Sequence, residues 1–229
     1  MMNYRYSWLL FDADGTFLDY RAGESHSLRA AAASFGRDAD EEALNLYRTI
    51  NSGLWAELEK GRISSLELRI RRFEQLCEQL GWDIPAADFS RAYLEELGGS
   101  GFMIPGAREM LGNIPDAIHK AVITNGIRDT QYGRLRKAGL MDVFDEIIIS
   151  EEAGIAKPAA GFFDYALDRI GSRNKDDMLI IGDSLSSDIA GGVGYGIDTC
   201  WFNPGGGENK SGITPTYEIS DWEGLFRIL

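Results

Sequence analysis

Short apolar runs alternate with helix-like segments after about residue 103, and one further run lies near the start of the chain. Each run is continuously apolar and rich in β-branched or bulky residues, the pattern of a strand that is covered on both faces. The runs span residues 8–11, 121–124, 147–150, 178–182 and 199–202, and helical patterns lie at about 106–114, 128–139, 159–171 and 185–194. This alternation predicts βαβ units and therefore an α/β fold with a parallel sheet between two layers of helices.

Residues 20–98 carry a different pattern, in which apolar positions repeat at the helical period and no strand candidate occurs. Ser64 stands three residues before Glu67 at the start of one repeat, which predicts a capping box. Two of the repeats comprise Ala43, Leu46, Tyr47, Ile50 and Leu54, and Leu66, Ile70, Phe73, Cys77 and Leu80. We therefore expect an inserted all-helical cap domain of about four helices over residues 20–98. The core domain then consists of residues 1–19 and 99–229, with the glycine-rich segment 98–101 as a hinge.

The composition is that of an ordinary globular protein of 229 residues, with 44% hydrophobic and 26% charged residues. No apolar stretch approaches the ~20 residues that a membrane helix needs, and the N-terminus lacks the pattern of a secretory signal. Cys77 and Cys200 match no metal-binding spacing and are expected as buried free thiols in a reducing compartment. We therefore expect a cytoplasmic protein that does not act at a membrane, as a monomer or a weak homodimer.

The chain is strongly acidic, with 36 acidic against 23 basic residues and a net charge of −13. This balance argues against binding to a nucleic-acid polymer, which depends on clustered lysine and arginine. An anionic small molecule is repelled by the overall field, so its attraction must be local. A metal ion, a lysine and oriented backbone N–H groups are the groups that can supply it.

Polar residues follow four of the predicted strands, at the edge where ligands bind in open parallel sheets. They are Asp12 and Asp14 after the first strand, Thr124, Asn125 and Gly126 after the second, Lys157 after the third, and Asp183 and Asp188 after the fourth. Each group alone has an ordinary explanation as a turn, a strand end, a solvated lysine or a helix cap. Their occurrence together at equivalent strand ends favours a single site instead.

These four motifs, in this order, resemble those of the haloacid dehalogenase-like hydrolases. The likeness spans nearly the whole chain, includes a helical cap inserted after the first motif, and implies a Rossmann-like core. Within that superfamily the sequence has a closer resemblance to the pyrimidine 5′-nucleotidases, on residues 11–14, 52–55, 123–126, 149–152 and 199–201.

The resemblance implies a specific role for each of the matched residues. Asp12 would attack phosphorus to form an aspartyl-phosphate, and Asp14 would protonate the leaving group and then activate water. Mg²⁺ would be held by Asp12, the main-chain carbonyl of Asp14 and Asp183, while Asp188 would act through a metal-bound water or by orienting the site. Phosphoryl oxygens would be bound by Thr124, Asn125, Gly126 and Lys157, and Lys157 would also counter the charge on Asp12.

The expected activity is Mg²⁺-dependent hydrolysis of a small-molecule phosphomonoester, in particular a pyrimidine nucleoside 5′-monophosphate. Asp14 argues against a dehalogenase, and Lys60, the only lysine of the predicted cap, is not placed for phosphonate cleavage. Sugar phosphates or phosphoglycolate as substrate, a phosphomutase, and a non-catalytic phosphate-binding regulatory module remain open alternatives.

Recognition of the rest of the substrate is expected to depend on the cap. Candidate pocket residues are Phe17, Tyr20, Asn51 and Trp55, for which packing within the fold is the alternative. His26 and His119 have no partner pattern and are expected to be structural or exposed. Arg128 either reaches the substrate or is a solvated residue at a helix start.

Overall fold

A parallel β-sheet forms the centre of the computed structural model, which describes residues 4–229; residues 1–3, part of the predicted core domain, lie outside the described residues. Its strands are β1 (Trp8–Phe11), β2 (His119–Thr124), β3 (Glu146–Ile149), β4 (Met178–Gly182), β5 (Asp198–Phe202) and β6 (Tyr217–Ile219). Their order is β3-β2-β1-β4-β5-β6, and every neighbouring pair is parallel. The predicted Rossmann-like parallel sheet is confirmed.

Helices account for most of the remaining chain. They are α1 (Tyr20–Ser34), α2 (Glu41–Glu59), α3 (Ser65–Leu80), α4 (Ala86–Gly98), α5 (Ala107–Asn113), α6 (Arg128–Lys137), α7 (Ser150–Ala153), α8 (Ala160–Ile170), α9 (Ala190–Tyr195) and α10 (Trp222–Phe226). The region without strand patterns, residues 20–98, thus contains α1 to α4 and no strand.

Helices cover both faces of the sheet, so the side chains on both faces of its central strands are buried. Every residue of β4 is buried, and Phe162 and Phe163 of α8 pack in the same cluster of apolar side chains as Ile180. A fully buried side chain of this size contributes about 1.5–3 kcal/mol relative to an exposed one. This explains why the central strands are continuously apolar rather than alternating.

The register of the strands aligns the ends from which the polar motifs leave. Phe11 is paired with Val122 of β2 and with Ile181 of β4, and Thr124 is paired with Ile149 of β3. All four strands run in the same direction. The residues that follow them therefore emerge at one edge of the sheet.

The chain divides into two compact units, each with its own core. Residues 20–102 and 129–138 form the helical unit, and residues 4–19, 103–128 and 139–229 form the unit that contains the sheet. Most of α6 thus belongs to the helical unit, whereas the sequence analysis placed it in the core domain. The reason is a close approach within that unit: a Cβ on Gly133 would lie 2.6 Å from the carbonyl oxygen of Gly98.

The helical unit is held by aromatic packing and by defined helix ends. The rings of Tyr47, Phe73 and Tyr93 contact one another at its centre. Ser64 accepts a hydrogen bond from the Glu67 N–H, and the Glu67 carboxylate accepts one from the Ser64 N–H at 2.8 Å. The predicted capping box is therefore confirmed, and such a cap stabilises a helix by about 1 kcal/mol.

Four local features differ from the sequence prediction. β6 and α10 were not predicted, because each is short and Glu218 interrupts the apolar character of β6. Ser150, predicted as the last residue of a strand, begins α7 instead. The predicted helix over 185–194 consists of a π-helical turn at Leu185–Ile189 followed by α9.

Candidate active site

The Lys157 ammonium group occupies the centre of the site. Its Nζ donates hydrogen bonds to Asp12 Oδ1, to Asp188 Oδ1 and to the carbonyl oxygen of Ile123, each at 2.7 Å. The side chain is only 1% exposed. An ammonium group has three N–H donors, so these contacts use all of them. One lysine thereby links segments that follow β1 and β4 to the main chain of β2.

Three carboxylates crowd around this lysine. Asp12, Asp183 and Asp188 each offer one oxygen that lies within 4.8 Å of the other two. Burial raises the pKa of Asp12 well above its ordinary value; the charges of Asp188 and Asp183 add to this, and Lys157 opposes it. Desolvation, with Asp188 and Asp14, raises the pKa of Asp183 to about 7 although this residue is exposed at the surface. The site therefore holds more negative charge than its lysine offsets.

This donor set fits a divalent cation. Carboxylate oxygens are the ligands that Mg²⁺ prefers, and three carboxylates against one ammonium leave an excess of negative charge for the ion to neutralise. The backbone is also built to approach the carboxylates closely. A Cβ on Gly15, whose φ is +83°, would lie 2.3 Å from Asp183 Oδ2, and one on Gly182 would lie 2.3 Å from Asp188 Oδ2. Only glycine leaves this space open.

The loop after β1 curls back on itself and directs Asp12 inward. The Leu18 N–H donates to the Ala13 carbonyl at 2.9 Å, and Asp14 forms an isolated bridge with Leu18. Thr16 is fully buried, and its hydroxyl lies 3.4 Å from Asp12 Oδ2 as a donor. Asp14 is half-buried on the same turn, and its side chain is not part of the carboxylate cluster. Its predicted metal contact is through the main-chain carbonyl.

The loop after β2 contacts Lys157 through Asn125. The side-chain Nδ2 of Asn125 donates to the Lys157 carbonyl, and its Oδ1 accepts from the Lys157 N–H, both at 2.9 Å. Thr124 is buried, and its Oγ1 accepts a hydrogen bond from the Gly126 N–H at 3.1 Å. The predicted residues of this motif are thus close to Lys157, and both polar atoms of the Asn125 side chain bind its main chain.

Asp188 is completely buried in the π-helical turn after β4. Besides the Lys157 contact, its Oδ2 accepts from the Ser184 N–H at 3.1 Å and its Oδ1 from the Ser187 hydroxyl at 3.4 Å. These contacts fix the carboxylate and satisfy both of its oxygens, as a buried charge requires.

Trp201 supports Asp183 from the neighbouring strand, a contact that sequence reasoning missed. Its indole N–H donates to the Asp183 carbonyl at 2.9 Å, and Trp201 is paired with Gly182 in the register of β4 and β5. Thr16 and Ser184 were also missed as partners of Asp12 and Asp188. The N–H of a buried tryptophan usually has a hydrogen-bond partner, which is the signal that could have identified Trp201.

The indole hydrogen bond leads to a prediction about metal binding. Trp201→Phe removes the donor but keeps an aromatic ring, so the Asp183 segment becomes less firmly held. We expect the variant to need about a 3- to 10-fold higher Mg²⁺ concentration than the wild type for the same rise in melting temperature, because a lost hydrogen bond costs about 1 kcal/mol. The measurement is thermal unfolding across a Mg²⁺ titration.

Trp222→Phe is the matched control, because the buried Trp222 N–H has no hydrogen-bond partner and its ring stacks on Phe202 instead. It should leave the Mg²⁺ response unchanged. The same Mg²⁺ dependence of the melting temperature in the Trp201 variant and the wild type would contradict a role of Trp201 in holding the Asp183 segment.

The other residues that the sequence analysis discussed in the sheet-containing unit pack in its interior or form contacts at its surface. Phe17 is fully buried and packs against Phe11 and Phe144. His119 stacks on Trp8 with ring centroids 4.7 Å apart. Arg128 is exposed, and its Nε donates to a Glu152 carboxylate oxygen at 2.8 Å.

The cap candidates lie in the packed interior of the helical unit. Asn51 donates to the Tyr20 hydroxyl at 3.1 Å and accepts from Arg72 Nη1 at 3.3 Å. Trp55 is half-buried against the core of this unit. His26 lies edge-on to the Phe102 ring. These contacts match the packing alternative raised for Asn51, Tyr20 and Trp55.

Comparison with known proteins identifies the class to which this fold and site belong. The family model described as haloacid dehalogenase-like hydrolase matches residues 6–196. The chain belongs to this hydrolase family and is therefore an enzyme.

Individual relatives match over nearly their full length. HAD-hydrolase YfnB of Bacillus subtilis (strain 168) is 38% identical, over 98% of this chain and 96% of YfnB. Pyrimidine 5′-nucleotidase YjjG of Escherichia coli (strain K12) is 33% identical over 98% of both chains. Pyrimidine 5′-nucleotidase PynA of Streptococcus pneumoniae (strain ATCC BAA-255 / R6) is 35% identical, over 98% of this chain and 95% of PynA.

A solved structure of YfnB, described as bound to magnesium and as revealing interdomain movement, has a TM-score of 0.93 to this chain. It covers 98% of this chain and 99% of the YfnB chain. The agreement confirms the family resemblance found in the sequence.

Two sequence expectations concerned membrane-spanning helices and cysteines. Among the described residues, no helix is both long and apolar enough to cross a bilayer. Cys77 and Cys200 are both buried and free, as expected.

Proposed function

We propose that the chain is a Mg²⁺-dependent phosphatase that hydrolyses nucleoside 5′-monophosphates, with a preference for pyrimidine bases. The observation that carries the proposal is the Lys157 ammonium, which holds Asp12 and Asp188 together 2.7 Å from each. The two relatives named pyrimidine 5′-nucleotidases support the substrate class, and the magnesium-bound YfnB supports the metal.

Asp12 is the proposed nucleophile. Lys157 fixes its Oδ1 and Thr16 lies beside its Oδ2, so the carboxylate is oriented before substrate arrives. An oxygen of Asp12 forms a bond to phosphorus while the ester oxygen leaves and takes a proton from Asp14. Water then attacks the phosphorus of the aspartyl-phosphate, Asp14 takes up its proton, and phosphate and Asp12 are released.

The remaining residues have proposed roles in binding. Thr124, whose Oγ1 accepts from the Gly126 N–H, donates its hydroxyl to a phosphoryl oxygen, and backbone N–H groups of this loop contribute further donors. Lys157 offsets the charge of Asp12 and of the bound phosphoryl group.

The metal would be held by Asp12, Asp183 and the main-chain carbonyl of Asp14, with Asp188 acting through a water or by orienting the others. When bound, Mg²⁺ supplies positive charge that neutralises the carboxylates and the phosphoryl oxygens. Local charge of this kind lets a chain with a net charge of −13 bind an anion.

A substrate panel tests the proposal. We expect phosphate release from UMP, dUMP and dTMP with Mg²⁺, its loss in EDTA, and lower kcat/KM for sugar phosphates and phosphoglycolate. A ranking that places sugar phosphates first would contradict the nucleotidase assignment but not the phosphatase assignment. Interconversion of phosphosugar isomers without phosphate release would indicate a mutase, and no turnover of any compound would favour a regulatory module.

Cytoplasmic location and a monomeric or weakly dimeric state stay predictions, testable by cell fractionation and gel filtration.

A further inference from the structure

Asn125 forms a bracket around the main chain of Lys157. One end of its amide donates to the Lys157 carbonyl and the other accepts from the Lys157 N–H, both at 2.9 Å. The two residues are 32 positions apart in the chain. The bracket therefore joins the loop after β2 to the segment that carries the lysine.

Lys157 depends on this attachment, because its ammonium meets three acceptors at once. These acceptors are Asp12 Oδ1, Asp188 Oδ1 and the Ile123 carbonyl oxygen, each 2.7 Å away. Hydrogen bonds of this length tolerate little displacement of the donor. Movement of the Lys157 main chain would therefore loosen the hold on Asp12.

The sequence assigned Asn125 to substrate binding, and the geometry favours a different role. The carboxamide already uses its Oδ1 and one N–H on Lys157. Binding of a phosphoryl oxygen in place of these contacts would break the bracket.

We propose that Asn125 is a positioning residue: it acts on the reaction through Lys157. This inference rests on the proposed phosphatase function. It assigns to Asn125 the alignment of the lysine with the nucleophile Asp12.

The chain offers a matched control in Asn203. Its Nδ2 donates to the Gly207 carbonyl and its Oδ1 accepts from the Gly207 N–H, both at 2.9 Å. This is the same pair of hydrogen bonds in the same unit, made to a residue other than Lys157; the Asn203 Nδ2 also donates to Glu218 Oε1 at 2.7 Å. Asn203→Ala removes the bracket and the Glu218 hydrogen bond together, so its loss of stability should be at least the structural cost of losing such a bracket.

The experiment compares steady-state kinetics, inhibition by inorganic phosphate and melting temperature for wild type, N125A, N125D and N203A. For N125A we expect kcat to fall about 10- to 100-fold, the range typical of residues that orient a site through another group. KM and the phosphate inhibition constant should rise by a smaller factor than kcat falls, because Lys157 also offsets the charge of the bound phosphoryl group. N125D keeps the acceptor for the Lys157 N–H but opposes the Lys157 carbonyl with a second acceptor, so it should not recover kcat. N203A should keep wild-type kcat at a comparable or larger loss of melting temperature.

Each other outcome has a defined meaning. An increase in KM and in the phosphate inhibition constant with unchanged kcat would overturn the inference in favour of substrate binding. Equal kcat losses in N125A and N203A, or failure of N125A and N125D to fold while N203A folds, would make the bracket merely structural. An inactive wild type would overturn the proposed function itself, whereas normal N125A kinetics in an active enzyme would overturn only the positioning role.

Discussion

Replacement of Asp12 by asparagine is expected to reduce phosphate release from the best substrate at least about a thousandfold, because the amide cannot form the acyl phosphate. The isosteric side chain keeps the shape of the loop and can still accept from Lys157, which contacts Asp12 Oδ1. The fold should therefore persist. The measurement is phosphate release at saturating Mg²⁺, together with the melting temperature of the variant.

Asp168→Asn is the control for loss of one carboxylate, since Asp168 is exposed and pairs with Arg173 at the surface. It should change neither activity nor stability appreciably, because exposed ion pairs contribute little. A D12N variant that keeps more than about a tenth of the wild-type rate would show that Asp12 is not the nucleophile.

Replacement of Lys157 by methionine is expected to damage both stability and activity. The variant leaves Asp12 and Asp188 buried without their shared cation, and removal of one partner from a buried pair typically costs about 3–5 kcal/mol. We expect a loss of this size in the free energy of unfolding, measured in urea without Mg²⁺. Phosphate release should fall at least about a hundredfold, because the nucleophile loses its orientation.

The double variant K157M/D188N separates the two effects. Removal of the uncompensated Asp188 charge should restore part of the free energy of unfolding while leaving the activity low. Additive effects of the two substitutions on stability would contradict a direct coupling, since residues in contact normally show one. K157M with wild-type stability would mean that the lysine does not offset the buried carboxylates.

The sequence was sufficient to predict five of the six strands and the convergence of the polar motifs at one edge of the sheet. Continuous apolar runs mark strands buried on both faces, and parallel strands bring their carboxyl ends to one edge, so the motifs around Asp12, Lys157 and Asp183 had to converge. β6 escaped detection because a three-residue edge strand containing Glu218 has no distinctive pattern. The packing of residues 129–138 with the helical unit depends on two glycines in contact, Gly98 and Gly133, which no local pattern reveals.

The support around the site could not be predicted for a similar reason. The bonds from Trp201 to Asp183 and from Asn125 to Lys157 join residues distant in the chain, and their geometry exists only after folding. Asn51 shows the opposite error, in which the sequence suggested a functional contact and the structure shows a packing contact. Its polar side chain suggested substrate contact, but in the helical unit it bonds to Tyr20 and Arg72.

In the proposed mechanism Asp12 forms a covalent bond to the phosphoryl group. The most direct measurement is rapid acid quench of the Mg²⁺-loaded enzyme during turnover of UMP, followed by borohydride reduction and peptide mass spectrometry. Borohydride reduces an acyl phosphate to an alcohol, so position 12 should be recovered in part as homoserine, while Asp14 and Asp183 stay unmodified. Turnover of UMP that leaves Asp12 unmodified at every quench time, with modification at another residue, would contradict the account.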